Sequence, residues 1–226
     1  MRIESLDHVA LWVEDRDELA DFATAHLGMH VIERTDKFTL VGADARRGKL
    51  TLFAAEGKRD PGPLARVALR VSDLEAAVST LPPDLEVEPV ADGSVRFLGP
   101  QRLGVALVES NGHDYDLDHV ALRVPDPGAS FAELQTLGFR EEKGRLWAGA
   151  AELVLEPGEA SNPERPLLNH FGLLVESAEE HLQEARERGI EIDDIVDGPN
   201  TYAVFLYGPD RIRLEYVEHK PSFSLV

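Results

Sequence analysis

Apolar and polar residues alternate in four short segments that share one pattern: His8-Val9-Ala10-Leu11-Trp12-Val13, Arg66 to Val71, His119 to Val124 and His170 to Val175. Side chains alternate between the two faces of a strand, so each segment reads as a strand with one solidly apolar face. That face is Val9, Leu11 and Val13 in the first copy, Val120, Leu122 and Val124 in the third, and Phe171, Leu173 and Val175 in the fourth. The histidine shares the opposite face with small residues such as Ala10, Ala121 and Gly172. The hexapeptide LDHVAL occurs unchanged at 6–11 and 117–122, and the key position carries His8, Arg66, His119 and His170 in turn. Their spacings of about 58, 53 and 51 residues are those of an internal repeat.

Each apolar strand face needs a cover, and the pattern places a helix after every strand. The first runs from about Asp15 to His26 and ends at Leu27-Gly28-Met29; the third lies between Pro127 and Leu137 and ends at Leu137-Gly138-Phe139. The second is cut short by Pro82-Pro83. In the fourth, Ser177 and Glu180 have the spacing of a capping box and Gly189 is the expected stop. Short alternating segments separated by turn residues follow each helix, among them Thr39 to Val41 with Leu50 to Phe53, and Tyr202 to Tyr207 with Ile212 to Val217. The unit is therefore strand–helix–strand–strand–strand. Four such units predict an α+β fold: βαβββ modules paired into two domains, each a curled mixed sheet around a cavity with helices outside. In chain order the expected domains are 1–112 and 113–226, joined near Glu109 to Asp116, where Asn111-Gly112 signals a turn.

Composition narrows the function. The chain has 226 residues, 43% of them hydrophobic, enough for a real core. It has no cysteine, which excludes disulfides, a thiolate nucleophile and a zinc–thiolate site. The formal charge of −19 disfavours nucleic acid and anionic membrane surfaces as partners. Lysine is scarce, only Lys37, Lys49, Lys58, Lys143 and Lys220; this fits a protein held soluble in concentrated salt and equally the acidic proteome of a GC-rich genome. No basic-then-apolar leader follows Met1, and no apolar run approaches a membrane span of about 18 residues, so a cytoplasmic protein without a membrane partner is expected.

The four-fold strand–helix–strand–strand–strand order resembles the vicinal oxygen chelate (glyoxalase, bleomycin resistance, extradiol dioxygenase) superfamily over nearly the whole chain, and its four-module form looks most like the type I extradiol (catechol 2,3-) dioxygenases. The resemblance implies a divalent metal in one cavity and a small-molecule substrate with vicinal oxygens; it leaves room for a homo-oligomer. In the dioxygenase branch the ligands are a histidine on the first strand of module three, a histidine on the first strand of module four and a glutamate on the last strand of module four. Here those positions hold His119, His170 and Glu215. Two imidazoles and one carboxylate suit Fe(II), with Mn(II) or another divalent ion as the alternative, and leave coordination positions open. Taken singly, each residue has a blander reading: a strand histidine is commonly a satisfied side chain, and Glu215 beside Arg213 could be a surface ion pair.

The first half, with His8, Arg66 and Ala106 at the corresponding positions, is expected to be metal-free. Module three offers Leu153 where module four has Glu215, with Glu152 and Glu156 displaced, so the four-ligand arrangement of glyoxalase I is not expected unless the strand register shifts by one. The extradiol pattern also departs from the family: Phe205 stands where a tyrosine is usual, Gly208 where an acidic residue is usual, and no histidine lies between His119 and His170 or around Val196 to Gly198. Tyr207 is the candidate catalytic proton donor in their place, against the reading that it only lines the cavity. Three functions follow: an extradiol-type dioxygenase cleaving a catechol with O2; another metal-dependent enzyme, a glyoxalase-like isomerase, lyase or transferase; or a non-enzymatic small-molecule-binding resistance protein. His26, His30, His113, His181 and His219 are expected at the surface, with His219 the one near enough to Glu215 to act as a lid or as support for the ligands.

Overall fold

The computed structural model describes residues 1–159 and 164–225. Module one comprises β1 (Ser5–Val13), α1 (Arg16–His26), β2 (His30–Arg34), β3 (Phe38–Gly42) and β4 (Lys49–Ala54). Module two comprises β5 (Leu64–Val71), α2 (Leu74–Ser79), β6 (Val87–Pro89), β7 (Val95–Leu98) and β8 (Gly104–Glu109). Module three comprises β9 (Leu117–Val124), α3 (Pro127–Thr136), β10 (Arg140–Glu142), β11 (Arg145–Ala148) and β12 (Ala151–Pro157). Module four comprises β13 (Leu168–Leu174), α4 (Ala178–Arg188), β14 (Ile192–Asp197), β15 (Thr201–Tyr207) and β16 (Arg213–His219). The expected βαβββ unit thus occurs four times.

One capping device starts all four helices. Asp15, Asp73, Asp126 and Ser177 each accept a hydrogen bond from a backbone N–H of the first turn, satisfying donors the helix leaves unpaired. Gly189 ends α4 in the left-handed conformation, as its sequence position predicts.

Within each module the first and last strands run parallel and the others antiparallel, giving two mixed eight-stranded sheets. The first has the order β14-β15-β16-β13-β1-β4-β3-β2, the second β10-β11-β12-β9-β5-β8-β7-β6. Module one therefore pairs with module four through β1 and β13, and module two with module three through β5 and β9, both antiparallel. This corrects the pairing expected from chain order: each sheet takes one module from either side of the 112/113 division. The physical reason is that all four first strands offer the same alternation and the same free edge, so the local pattern does not say which of them will meet.

The connections between modules reinforce the observed arrangement. Asp60, between modules one and two, exchanges backbone hydrogen bonds with Arg165 and Leu167, between modules three and four. The linker of residues 110–116 docks on module one, where Tyr115 packs so closely that a Cβ on Gly48 would come within 2.0 Å of its carbonyl oxygen.

The apolar faces predicted from the sequence are buried. Val9, Leu11 and Val13, their counterparts on β9 and β13, and residues from all four helices belong to one contiguous apolar cluster spanning both sheets. The Tyr216 hydroxyl, deep in that cluster, donates to the Leu137 carbonyl at the end of α3 and ties module four to module three. Ala203, Phe205 and Val217 form a separate small cluster on the other face of the first sheet, the face that carries Glu215.

Candidate metal centre

Three side chains meet at the junction of β1, β13 and β16. Register places His8 opposite Gly172, Ala10 opposite His170, and Gly172 beside Glu215, and residues paired in this way share a face. With no side chain at Gly172, the His8 imidazole lies across it: a Cβ there would fall 2.2 Å from the ring. His8 Nε2 is 3.1 Å from His170 Nε2 and 3.0 Å from Glu215 Oε2, and His170 Nε2 is 2.9 Å from the same oxygen. All three residues are buried.

The opposite nitrogens explain why these atoms face one another. His8 Nδ1 donates to Asp7 Oδ2 at 2.8 Å, and His170 Nδ1 donates to Asn169 Oδ1 at 3.0 Å. An ionised carboxylate and an amide oxygen only accept, so both Nδ1 atoms carry protons and both Nε2 atoms point inward. This is the outer support that metal-binding imidazoles characteristically have. The Asp7 carboxyl is itself buried with Lys49, whose Nζ is 2.8 Å from Oδ2.

The electrostatics call for a positive charge between the three groups. Burial opposes ionisation of Glu215, but the imidazoles of His170 and His8 hold its carboxyl well below the usual carboxylate range. Burial alone would lower the His8 pKa, yet Glu215 and Asp7 raise it to about 9. His170 moves the other way, lowered chiefly by burial and by the adjacent His8, against the pull of Glu215. The positive charge favoured on His8 thus does in part what a metal ion would do in full, and the donor set of two nitrogens and one carboxylate oxygen fits a divalent cation.

Of the residues expected as ligands from the sequence, His170 and Glu215 come together and His119 does not. His119 lies on β9 in the second sheet, where its Nε2 accepts from Arg66 Nε at 3.2 Å and its Nδ1 donates to Asp118 Oδ1 at 2.8 Å. His8, assigned to a metal-free first half, supplies the third donor. The second sheet repeats the same register, with Arg66 at the place of His8, Ala121 at that of Gly172, and Val154 at that of Glu215. Leu153, matched to Glu215 from the sequence, instead packs in the core; register differs by one. Glu156 pairs with Arg66, and Glu152 with Arg145. A guanidinium fills the space that His8 opens in the first sheet.

The corresponding position on β4 is Thr51, paired with Ala10, so this position supplies no second carboxylate. Phe205 and Phe53 flank His170 with ring centroids at 5.1 and 6.2 Å, and Trp12 and Phe38 pack on Phe53. Tyr207, the expected proton donor, lies two residues beyond Phe205 on β15; its hydroxyl donates to Asp193 Oδ1 at 2.5 Å, and the Arg211 guanidinium covers its ring. The Asp193 hydrogen bond, with a smaller contribution from burial, raises its pKa. His181, expected at the surface, is buried and stacks on Tyr216. Asp7 and Asn169 were legible as one signal: each of the three strand histidines follows an Asp or Asn, at Asp7-His8, Asp118-His119 and Asn169-His170.

Residues 5–82 match the family model described as the Glyoxalase/Bleomycin resistance protein/Dioxygenase superfamily. This match covers about a third of the chain, and over it the chain is similar to that superfamily. Solved structures share the fold of the chain at low identity. A candidate dioxygenase from Bacillus subtilis subsp. subtilis str. 168 superposes with a TM-score of 0.77 at 15% identity, covering 98% of this chain and 87% of that one. Glyoxalase I from Zea mays gives 0.72 at 16% identity, covering 95% and 92%. The cppA protein from Streptococcus pneumoniae TIGR4 gives 0.67 at 14% identity, covering 96% and 98%. No curated protein matches the chain by sequence. The superfamily hosts several chemistries, so the reaction has to be argued from the site. Among the described residues, no helix is long and apolar enough to cross a membrane.

Proposed function

We propose that the protein is a metal-dependent enzyme that receives a small molecule with two neighbouring oxygens at a divalent ion held by His8, His170 and Glu215. Fe(II) is the favoured ion and Mn(II) the alternative; the favoured reaction is extradiol ring opening of a catechol-type substrate with O2. The carrying observation is the convergence of two Nε2 atoms and one carboxylate oxygen within 3.1 Å, with both Nδ1 atoms tied outward. Thr51 at the fourth position separates this donor set from a four-ligand site with two carboxylates.

A divalent ion in such a face supplies a Lewis acid with open coordination positions. The chain's own residues do the rest. Glu215 contributes one negative charge and the imidazoles none, which favours an anionic oxygen as the next ligand. Phe205, with the Arg213 guanidinium over its ring, and Phe53 give the centre an apolar wall beside His170 that excludes water. Tyr207 enters as a slow proton donor, because its hydroxyl must first leave Asp193.

The test is anaerobic loading with Fe(II), followed by oxygen-uptake measurements with a panel of catechols. Oxygen uptake with a yellow ring-opened product is expected. Stoichiometric metal binding without oxygen consumption for any catechol would overturn the reaction and leave the metal centre standing.

A further inference from the structure

The carboxylate that aims His8 is held from the far end of the chain. Asp7 is 3% exposed and accepts from three directions: His8 Nδ1, the Lys49 ammonium, and His219 Nε2 at 3.2 Å. His219 closes β16, and its other ring nitrogen, Nδ1, is buried without a hydrogen-bond partner. No second hydrogen bond therefore fixes the ring. What fixes it is Phe223, stacked face to face at 4.1 Å between centroids with 14° between planes. Phe223 is in turn held by a closed turn at the C-terminal end. Its N–H donates to the Lys220 carbonyl, the Lys220 N–H donates to the Asn200 carbonyl, and Ser222 Oγ donates to the Pro199 carbonyl. The Arg46 guanidinium, from the loop before β4, lies 5.3 Å over the Phe223 ring.

Resting on the metal-centre reading, we propose that Phe223, His219 and Asp7, with Lys49, are positioning residues that set the direction of His8, so that the C-terminal turn tunes metal affinity from outside the site. The physical route is short. An imidazole ligand binds well only when its lone pair points at the ion, and the partner of the opposite nitrogen sets that direction. Asp7 can hold His8 only while its own two oxygens are pinned. Lys49 carries three rotatable donors on a flexible stem and pins distance more than direction. The His219 ring, clamped by Phe223, supplies the direction.

Co(II) alone is the probe, titrated into metal-free protein and followed by visible absorption and equilibrium dialysis. The parent is expected to bind one equivalent. Phe223→Ala and His219→Ala should each weaken binding by about 10- to 100-fold, the usual cost of losing outer support, and alter the Co(II) spectrum. Phe223→Tyr, which keeps the ring face, should restore parental affinity and spectrum. Melting of the metal-free variants shows whether the fold is retained; Phe223 sits in a terminal turn outside the apolar core. If both alanine variants bind Co(II) within about threefold of the parent and with the same spectrum, the positioning chain is wrong. If only His219→Ala loses affinity, the claim for the C-terminal turn is overturned. A parent that binds no Co(II) overturns the metal centre itself, and this proposal with it.

Discussion

The imidazole of His8 rests on Gly172, so closely that a single methyl group at residue 172 would stand 2.2 Å from two ring atoms. Two residues separated by more than half the chain thus share one volume, and the inward direction of His8 Nε2 depends on the absence of a side chain on the neighbouring strand. Gly172→Ala is expected to push His8 away from His170 and Glu215. Metal affinity, read by dialysis, should fall at least tenfold, with a loss of about 1–3 kcal/mol in metal-free stability from overpacking. Retention of parental affinity would show that His8 is not placed by this contact.

The centre divides the strand histidines into two groups. His8→Ala, His170→Ala and Glu215→Ala should each abolish stoichiometric divalent-metal binding, because these three are the donors that converge among the described residues. His119→Ala should leave metal content unchanged and cost roughly 1–3 kcal/mol of stability, since Arg66 Nε loses its acceptor in a buried place. Metal analysis and thermal melting of the four variants separate this arrangement from one built on His119.

Lys49 and Asp7 form an ion pair with each side chain 4% exposed. Removing Lys49 leaves the buried Asp7 charge with only the His8 and His219 imidazoles as partners. Lys49→Met should destabilise the protein by roughly 3–5 kcal/mol, and adding Asp7→Asn should recover part of that loss. Denaturant midpoints of the single and double variants measure both; a Lys49→Met protein as stable as the parent would show the pair to be dispensable.

The second sheet carries the same register with different side chains, so its site should be restorable. Arg66→His, Ala121→Gly and Val154→Glu together recreate a histidine, the glycine it lies over and the glutamate beside His119. The triple variant is expected to bind a second equivalent of Co(II), where the parent binds one. Arg66→His alone should not, because Ala121 keeps its methyl group and Val154 provides no oxygen.

Much of this architecture is written in local pattern. The period-two alternation of each first strand marked the buried face, and Val9, Leu11, Phe171 and Leu173 are buried on the face it named. The helix starts and the Gly189 stop followed from capping chemistry that acts over three or four residues. His170 and Glu215 were legible as partners because they lie within one module, on strands whose parallel pairing every copy of the unit repeats. The register of β12 was not: Leu153 and Val154 are both apolar, and nothing local says which faces the core.

By itself, then, the sequence determined the repeating unit, the two faces of each strand, and two of the three residues that converge at the centre. Only the tertiary structure decided that β1 pairs with β13 rather than β5, and with it that His8 completes the site while His119 faces Arg66. The reason is physical. Hydrogen bonding along a strand edge is the same for any partner with the same alternation, so four equivalent edges leave the pairing open locally. The choice is made by long-range packing, such as Tyr115 against Gly48, Asp60 against Leu167 and Tyr216 against Leu137, between residues far apart in the chain.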